Sequence, residues 1–205
     1  FRSYAAPPGG LPPQTDLLTG RAVFTTAYAV IPRGVQSDIV ASVLPFWEGA
    51  RAWVLARPLS GFAETFSQYA VELAPGGGSD RPETEPGAEA ALFVTGGAVA
   101  LTLAGAVHDL RPGGFAYVPP GSDWRVRNRG SDPATFHLIR KRFAAVEGLG
   151  VPDPIVASDA DTAPEPMPGS DGAWATTRFM DPGDLRHDMH VTIVSMQPGA
   201  VIPFA

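Results

Sequence analysis

The feature that most constrains what this chain can fold into is the density of its punctuation: 23 glycines and 22 prolines in 205 residues. Proline removes a backbone donor and clashes inside a helix, and glycine weakens a helix interior, so no long helix fits between such breaks. What does fit is a series of strand-length apolar runs joined by turns, the pattern of an all-β sandwich or barrel. With 44% hydrophobic residues, these runs have enough apolar surface to build a packed core.

Residues 1–20, opening "FRSYAAPPGGLPPQTD", read as an N-terminal arm. The runs then begin with "RAVFTTAYAVI", "DIVASVLPF" and "RAWVLARP". In "ETFSQYAVELAPGGG", Phe66, Tyr69, Val71 and Leu73 are core candidates, and the strand is expected to stop at the Pro-Gly cluster. Six more follow: "AALFVTGG", "AVALTLAG", "AVHDLRPGG", "FAYVPPG", "DWRVRN" and "ATFHLIRKRF". The glycine pairs 96–97 and 113–114 suit tight turns, so residues 21–146 are expected to form an antiparallel barrel of roughly eight to ten strands. Residues 147–173, dense in Pro, Asp and Ala, read as a linker, and strand-like text resumes over 174–205.

Within that last stretch, "VTIVSMQPGAV" has the form of "YAVELAPGGGS": an apolar strand running into Pro-Gly at Pro198 and Pro75, 123 residues apart. A weak repeat of one domain length is what a two-barrel protein would show, with its second barrel only begun at residue 205; the other reading is that these last strands pack onto the first barrel or another subunit.

Charge and composition exclude several functions. A net charge of -6 and a pI near 5.1 leave no positive footprint for nucleic acid. The basic run Arg140 to Arg142 reads as a strand leaving the core for solvent. Without cysteine there is no disulfide framework, thiolate nucleophile or zinc ribbon. No apolar run approaches the roughly 20 residues needed to span a bilayer, and the expected location is cytoplasmic. No nucleophile elbow, phosphate-binding loop or dinucleotide fingerprint is found.

The stretch "RPGGFAYVPPGSDWRVRN" places Pro112, Gly113, Pro119, Gly121, Trp124 and Asn128 in a spaced frame. It resembles the second sequence motif of the cupin superfamily, with histidine usual where Trp124 stands. The first cupin motif, a glycine, five residues, HxH, three or four residues, Glu, six residues and a glycine, finds its frame in "GSDRPETEPGAEAALFVTG". Gly78 stands one residue closer than usual, Glu83 and Glu85 take the HxH places, Glu89 the Glu place and Gly96 the end. An HxH pair on a strand presents two imidazoles to one face, suited to Mn, Fe, Ni or Zn. Three carboxylates in an apolar barrel would instead raise one another's pKa unless a cation neutralised them or they turned to water. Pro86-Gly87 favours the second outcome, a solvated loop, over a hard-cation site of Glu83, Glu85 and Glu89. Trp124 then either plugs the interior or forms the wall of a small apolar pocket.

Taken in order, "LLTGRAVFTTAYAVIPRGV", "QYAVELAPGGG", "LFVTGG", "GGFAYVPPGS" and "IRKRFAAVEG" resemble the bicupin family of (S)-ureidoglycine aminohydrolases, also labelled glyoxylate-induced or allantoin-catabolism proteins. The resemblance covers the chain from about Asp16. It implies two tandem cupin barrels of which the first has lost its metal ligands. The second would bind manganese through a carboxylate, two histidines and a glutamine. Glu83 lies eight residues beyond Pro75, and the same step from Pro198 falls at position 206, so no metal, catalytic or cofactor-binding residue is assigned within these 205.

The histidines present do not supply a site. His108 sits in a polar hairpin strand, and His137 alternates within "TFHLI" as a barrel residue. His187 and His190 are three apart, which falls on opposite faces of a strand. The resemblance thus implies a manganese-dependent enzyme that releases ammonia from a small-molecule ureide, (S)-ureidoglycine, to give ureidoglycolate. A metal-free small-molecule-binding or structural cupin is the alternative. A homo-oligomer is expected, with neither nucleic acid nor membrane as partner.

Overall fold

Residues 23–24, 29–30, 42–57 and 65–202 are described in the computed structural model, and among them there are fourteen strands and no helix. The expected arm, residues 1–20, lies outside the described residues. Of the first expected strand, Val23–Phe24 (β1) and Ala29–Val30 (β2) pair antiparallel. The described part of "DIVASVLPF" makes a single bridge, Ser42 to Ala52, then turns at Phe46, whose φ is 66°.

The main sheet is built from β3 (Glu48–Ala56), β4 (Phe66–Ser79), β5 (Ala88–Gly96), β6 (Val99–Leu103), β7 (Ala106–Leu110), β8 (Gly114–Val118), β9 (Trp124–Arg127), β10 (Ala134–Arg142) and β11 (Ile155–Ser158). Its order is β11-β8-β5-β10-β4-β9-β6-β7, with β3 on the free side of β4, and every pairing is antiparallel.

The Pro-Gly cluster after Leu73 does not end its strand. β4 runs on through residues 75–78 and changes one partner there: Phe66–Leu73 lies between β3 and β10, while Gly78 pairs with Glu48 of β3 and, with Ser79, with β9. Gly76, at φ 76°, makes the corner. Asn128 holds it. Its backbone carbonyl accepts from Gly76 N at 2.9 Å and its own N–H donates to Gly77 O at 2.8 Å. Its buried side chain donates from Nδ2 to Leu73 O (3.1 Å) and Asp132 O (2.8 Å), and Oδ1 accepts from Gly130 N (2.8 Å).

Folding the sheet around this corner encloses one apolar cluster. Val71 and Leu73 of β4, Leu92 and Val94 of β5, Leu101 and Leu103 of β6, Val126 of β9, and Phe136 and Leu138 of β10 are at most 3% exposed within it. Each side chain so buried contributes about 1.5–3 kcal/mol. Of the expected core residues, Val71 and Leu73 are fully buried, Tyr69 packs at the cluster's margin, and Phe66 is half-buried on β4.

The alternate residues of β5 and β8 enter a second cluster outside the barrel. Ala91, Phe93, Phe115 and Tyr117 meet Ile155 and Ala157 of β11 and Phe179, Met180, Met189, Val191 and Ile193 further along. Phe179 stacks on Phe115 at 4.5 Å with the rings 8° from parallel. Residues 147–173 are therefore more than a linker: β11 adds to the barrel sheet beside β8, where Ile155 and Ala157 stand next to Tyr117 and Phe115 and join their outer cluster. The rest of the chain forms a small sheet, β12 (Glu165–Pro166), β13 (Trp174–Arg178) and β14 (Thr192–Met196). β13 and β14 pair antiparallel as β3 and β4 do, and β14 runs into Pro198-Gly199 with Gly199 at φ 80°, matching Gly76. A second unit of the same kind starts here.

Two substitutions test the corner. Asn128→Ala strands the Leu73 carbonyl and the Gly130 amide, and a loss of about 2–3 kcal/mol is expected in denaturant unfolding. A Cβ at Gly78 would lie 2.1 Å from Val126 O and 2.8 Å from Arg127 Cα, both backbone atoms that cannot swing away. Gly78→Ala is expected to cost about 3 kcal/mol or more in the same assay.

Candidate functional site

The barrel interior is where the sequence frame would place a metal. Continuing the inward set of β10 past Leu138 brings Arg140 to the inner face, opposite Ala90 of β5. Arg140 reaches Glu83 with a two-pronged grip: Nε donates to Oε2 at 2.7 Å and Nη2 to Oε1 at 2.8 Å. Oε1 also accepts the backbone N–H groups of Thr84 and Glu85, each at 2.9 Å. Such a paired guanidinium and carboxylate satisfies the charges of both partners. Glu83 is thus fully engaged without a cation.

Glu85 sits on the surface, 3.5 Å from the exposed Arg142 Nε. A contact so exposed is screened and stabilises little. Its place is the solvated loop expected from the Pro86-Gly87 break that follows it. Glu89 departs from that expectation. It is fully buried, yet on the outer face of β5, beside Ala91 and away from the interior. The cause is the choice between three and four residues in the motif frame. Four places Ala90, not Glu89, at the Glu position, and a one-residue slip on a strand exchanges the faces. The structure therefore does not bring the three carboxylates together.

Trp124, at the motif histidine's place, is 5% exposed and packs in the interior cluster. Its rim also lines a shallow groove of about 290 Å³ with Glu83, Thr84, Glu85, Pro119 and Ser122. The indole therefore both fills the interior and walls a pocket. Ala90 offers no donor atom, and the indole nitrogen has no lone pair to give a metal. Among the described residues no group of His, Asp and Glu could hold a metal ion, so manganese does not fit this first barrel.

Outside the barrel lies a second set of titratable groups that sequence reading misses. Tyr117 of β8 donates to Glu89 Oε2 at 2.6 Å. Lys141, outward on β10, donates from Nζ to Asp188 Oδ2 at 2.8 Å and to Asp188 O at 3.2 Å, and Ala144 N–H donates to the same Oδ2 at 2.7 Å. Burial, then the neighbouring Asp188, pushes the Glu89 carboxyl up to about 8, while Tyr117 and Lys141 act against that rise. Burial also opposes charge on Asp188, but bonding to Glu89, Lys141 and Ala144 outweighs it and holds Asp188 below its usual range. The basic run is correspondingly not a departure into solvent: Arg140 turns in to Glu83, Lys141 out to Asp188, and Arg142 lies along Glu85. The available signal was the unbroken apolar text of "FAYV" and "AALF", since a strand without polar alternation is covered on both faces.

His108 and His137 lie on β7 and β10 as expected. His187 and His190 stand in the loop before β14 and not on a strand, which brings their rings to 6.2 Å. His187 is buried with its ring edge-on to Tyr117 at 5.0 Å, and its Nε2 lies 3.7 Å from Asp184 Oδ2. Burial holds its imidazole below the usual range. The pair forms part of the junction between barrel and second unit, with no third metal donor among the described residues.

Comparison with known proteins agrees with this geometry. Residues 69–140 match the cupin domain family. The chain is 29% identical over 186 residues to the (S)-ureidoglycine aminohydrolase of Escherichia coli K12, covering 90% of this chain and 68% of that one. In structure it is similar to a glyoxylate-induced protein from Pseudomonas aeruginosa, with a TM-score of 0.91 and 58% identity over all of this chain and 75% of that one. It is also similar to the E. coli protein YlbA, with a TM-score of 0.76 and 27% identity over 92% and 72% of the two chains. With this fold, this corner and this likeness, the chain belongs to the bicupin family of glyoxylate-induced proteins and (S)-ureidoglycine aminohydrolases.

Proposed function

We propose that the protein is a hydrolase of C–N bonds that releases ammonia from (S)-ureidoglycine to give ureidoglycolate, with manganese and the reacting groups in its second barrel. The observation that carries this reading is its similarity, along nine-tenths of the chain, to an aminohydrolase of that specificity. The interior of the first barrel supports it from the other side: the Arg140–Glu83 pair and Trp124 take the places where a metal and its ligands would stand. The first barrel then supplies scaffold, and the ligand set lies outside these 205 residues. The reading includes a cytoplasmic homo-oligomer acting on a small molecule. Among the described residues, no helix is long and apolar enough to cross a membrane.

A metal-free small-molecule-binding cupin is the rival, favoured by the groove beside Trp124. Purified full-length protein separates the two. The expected result is bound manganese by elemental analysis and manganese-dependent ammonia release from (S)-ureidoglycine. Absence of both sinks the aminohydrolase reading.

The interior ion pair gives a second expectation. Arg140→Met leaves the Glu83 carboxylate shielded from water without its partner and should cost about 2–4 kcal/mol, and adding Glu83→Gln should recover most of that loss. In both variants kcat/KM for ammonia release should stay at the parent value when assayed below their unfolding temperatures. Trp124→His should not confer manganese binding on the first barrel, because Ala90 and the engaged Glu83 leave no second donor.

A further inference from the structure

The titratable and charged groups between the barrel's outer face and the loop leading into β14 have no part in the proposed chemistry. They come from four places in the chain: Glu89 on β5, Tyr117 on β8, Lys141 on β10, and Asp184, Arg186, His187, Asp188 and His190 in the loop. Arg186 is occupied by Asp184 and Asp153, and His187 lies edge-on to Tyr117. That leaves two carboxylates, Glu89 and Asp188, against one ammonium, Lys141.

The hydrogen-bond inventory shows how the imbalance is resolved. Glu89 Oε2 takes the Tyr117 hydroxyl, and Asp188 Oδ2 takes Lys141 and Ala144. Among the described residues, no donor reaches the other two oxygens, Glu89 Oε1 and Asp188 Oδ1, and both are buried. As two ionised carboxylates they could only repel. One proton on Glu89 turns its carboxyl into a donor to Asp188 and brings the set to neutrality, with Asp188 and Lys141 as the remaining ion pair.

We propose that this junction is a proton-dependent latch, closed when Glu89 carries the proton that joins it to Asp188, and loosened when that proton leaves. The latch acts on residues 184–190, four to ten residues from the middle of β14, and so on how the second unit sits against the first.

The direction with pH depends on which state binds the proton. Closed, Glu89 holds its proton up to about 8, whereas in an open loop it would release it near the ordinary value of 4.5. Its contribution is therefore complete below about 4.5 and is lost as pH rises to about 8. Asp188, held low, stays ionised throughout that window, and Tyr117, pushed up by burial and by Glu89, stays protonated. His187 works the other way, since burial keeps it neutral in the closed form, so closure gains from it as pH rises toward 6.5. Above 6.5 it is neutral in both forms, and Glu89 alone sets the slope.

Hydrogen-exchange protection factors, which are corrected for the intrinsic rate, test this on the full-length protein. Between pH 6.5 and 8, protection at residues 184–190 should fall on the order of tenfold in the parent and stay flat in Glu89→Gln, whose amide reproduces the protonated acid. A second measurement needs no substitution: the ¹³C-carboxyl signal of Glu89 should titrate near 8. Equal pH profiles in parent and variant, or a Glu89 signal titrating in the ordinary carboxylate range, overturns the latch. Neither readout depends on aminohydrolase activity, so the two proposals stand or fall separately.

Discussion

The corner in β4, held by Asn128, is the constraint on which the rest of the barrel depends. A strand that changes partners needs a place where its ladder is interrupted without leaving amides and carbonyls unsatisfied in the core. Asn128 meets that demand with its backbone on Gly76 and Gly77 and its side chain on Leu73, Asp132 and Gly130. The first half of β4 then lies between β3 and β10, and the second half between β3 and β9, which closes the sheet over one interior. Only Gly at position 78 lets β9 come close enough for that pairing. Of the spaced Pro, Gly and Asn positions in the sequence frame, Asn128 is the one that forms this joint.

Closing the sheet gives each strand an inside and an outside, and β5 and β8 are covered on both. Ala90, Leu92 and Val94 face in, while Glu89, Ala91 and Phe93 face the loop and strands beyond the barrel. On such a strand, one position of register decides whether a carboxylate lies at a metal position or at a domain junction. Glu89 lies at the junction, and this separates it from Glu83 and Glu85 more completely than the loop break at Pro86 does. The burial of Ala90 in the interior and of Glu89 at the junction are consequences of the same alternation.

Much of this is legible in the sequence and some is not, for reasons that can be named. The strands from β5 to β10 fall where their apolar runs stand, because each run is bounded by Gly, Pro or Asp that must lie at a turn. The chain through Pro75 reads as a stop, because Pro-Gly signals a break in direction and cannot say whether the strand resumes with a new partner. β11 is hidden in Pro-rich text, since only two of its residues, Ile155 and Ala157, join the apolar cluster beside β8. That histidine is missing from the motif positions of the first barrel is visible from residue types alone. Its replacement is not, because the partner of Glu83 is 57 residues away in sequence and depends on the β5–β10 register.

That register also explains why three consecutive cations at the end of β10 serve three different places. Alternation sends Arg140 inward and Lys141 outward, and Arg142 reaches the rim beside Glu85. In each case the acid it meets comes from a segment that the strand pairing alone does not position: the 83–85 loop for the two arginines and the 184–190 loop for the lysine. Guanidinium suits the interior position, where two parallel bonds to one carboxylate fix the orientation of Glu83. Ammonium suits the junction, where Lys141 must reach both a side-chain oxygen and a backbone carbonyl of Asp188 at an angle. The end of this one strand therefore fastens Glu83 on one face and the loop before β14 on the other.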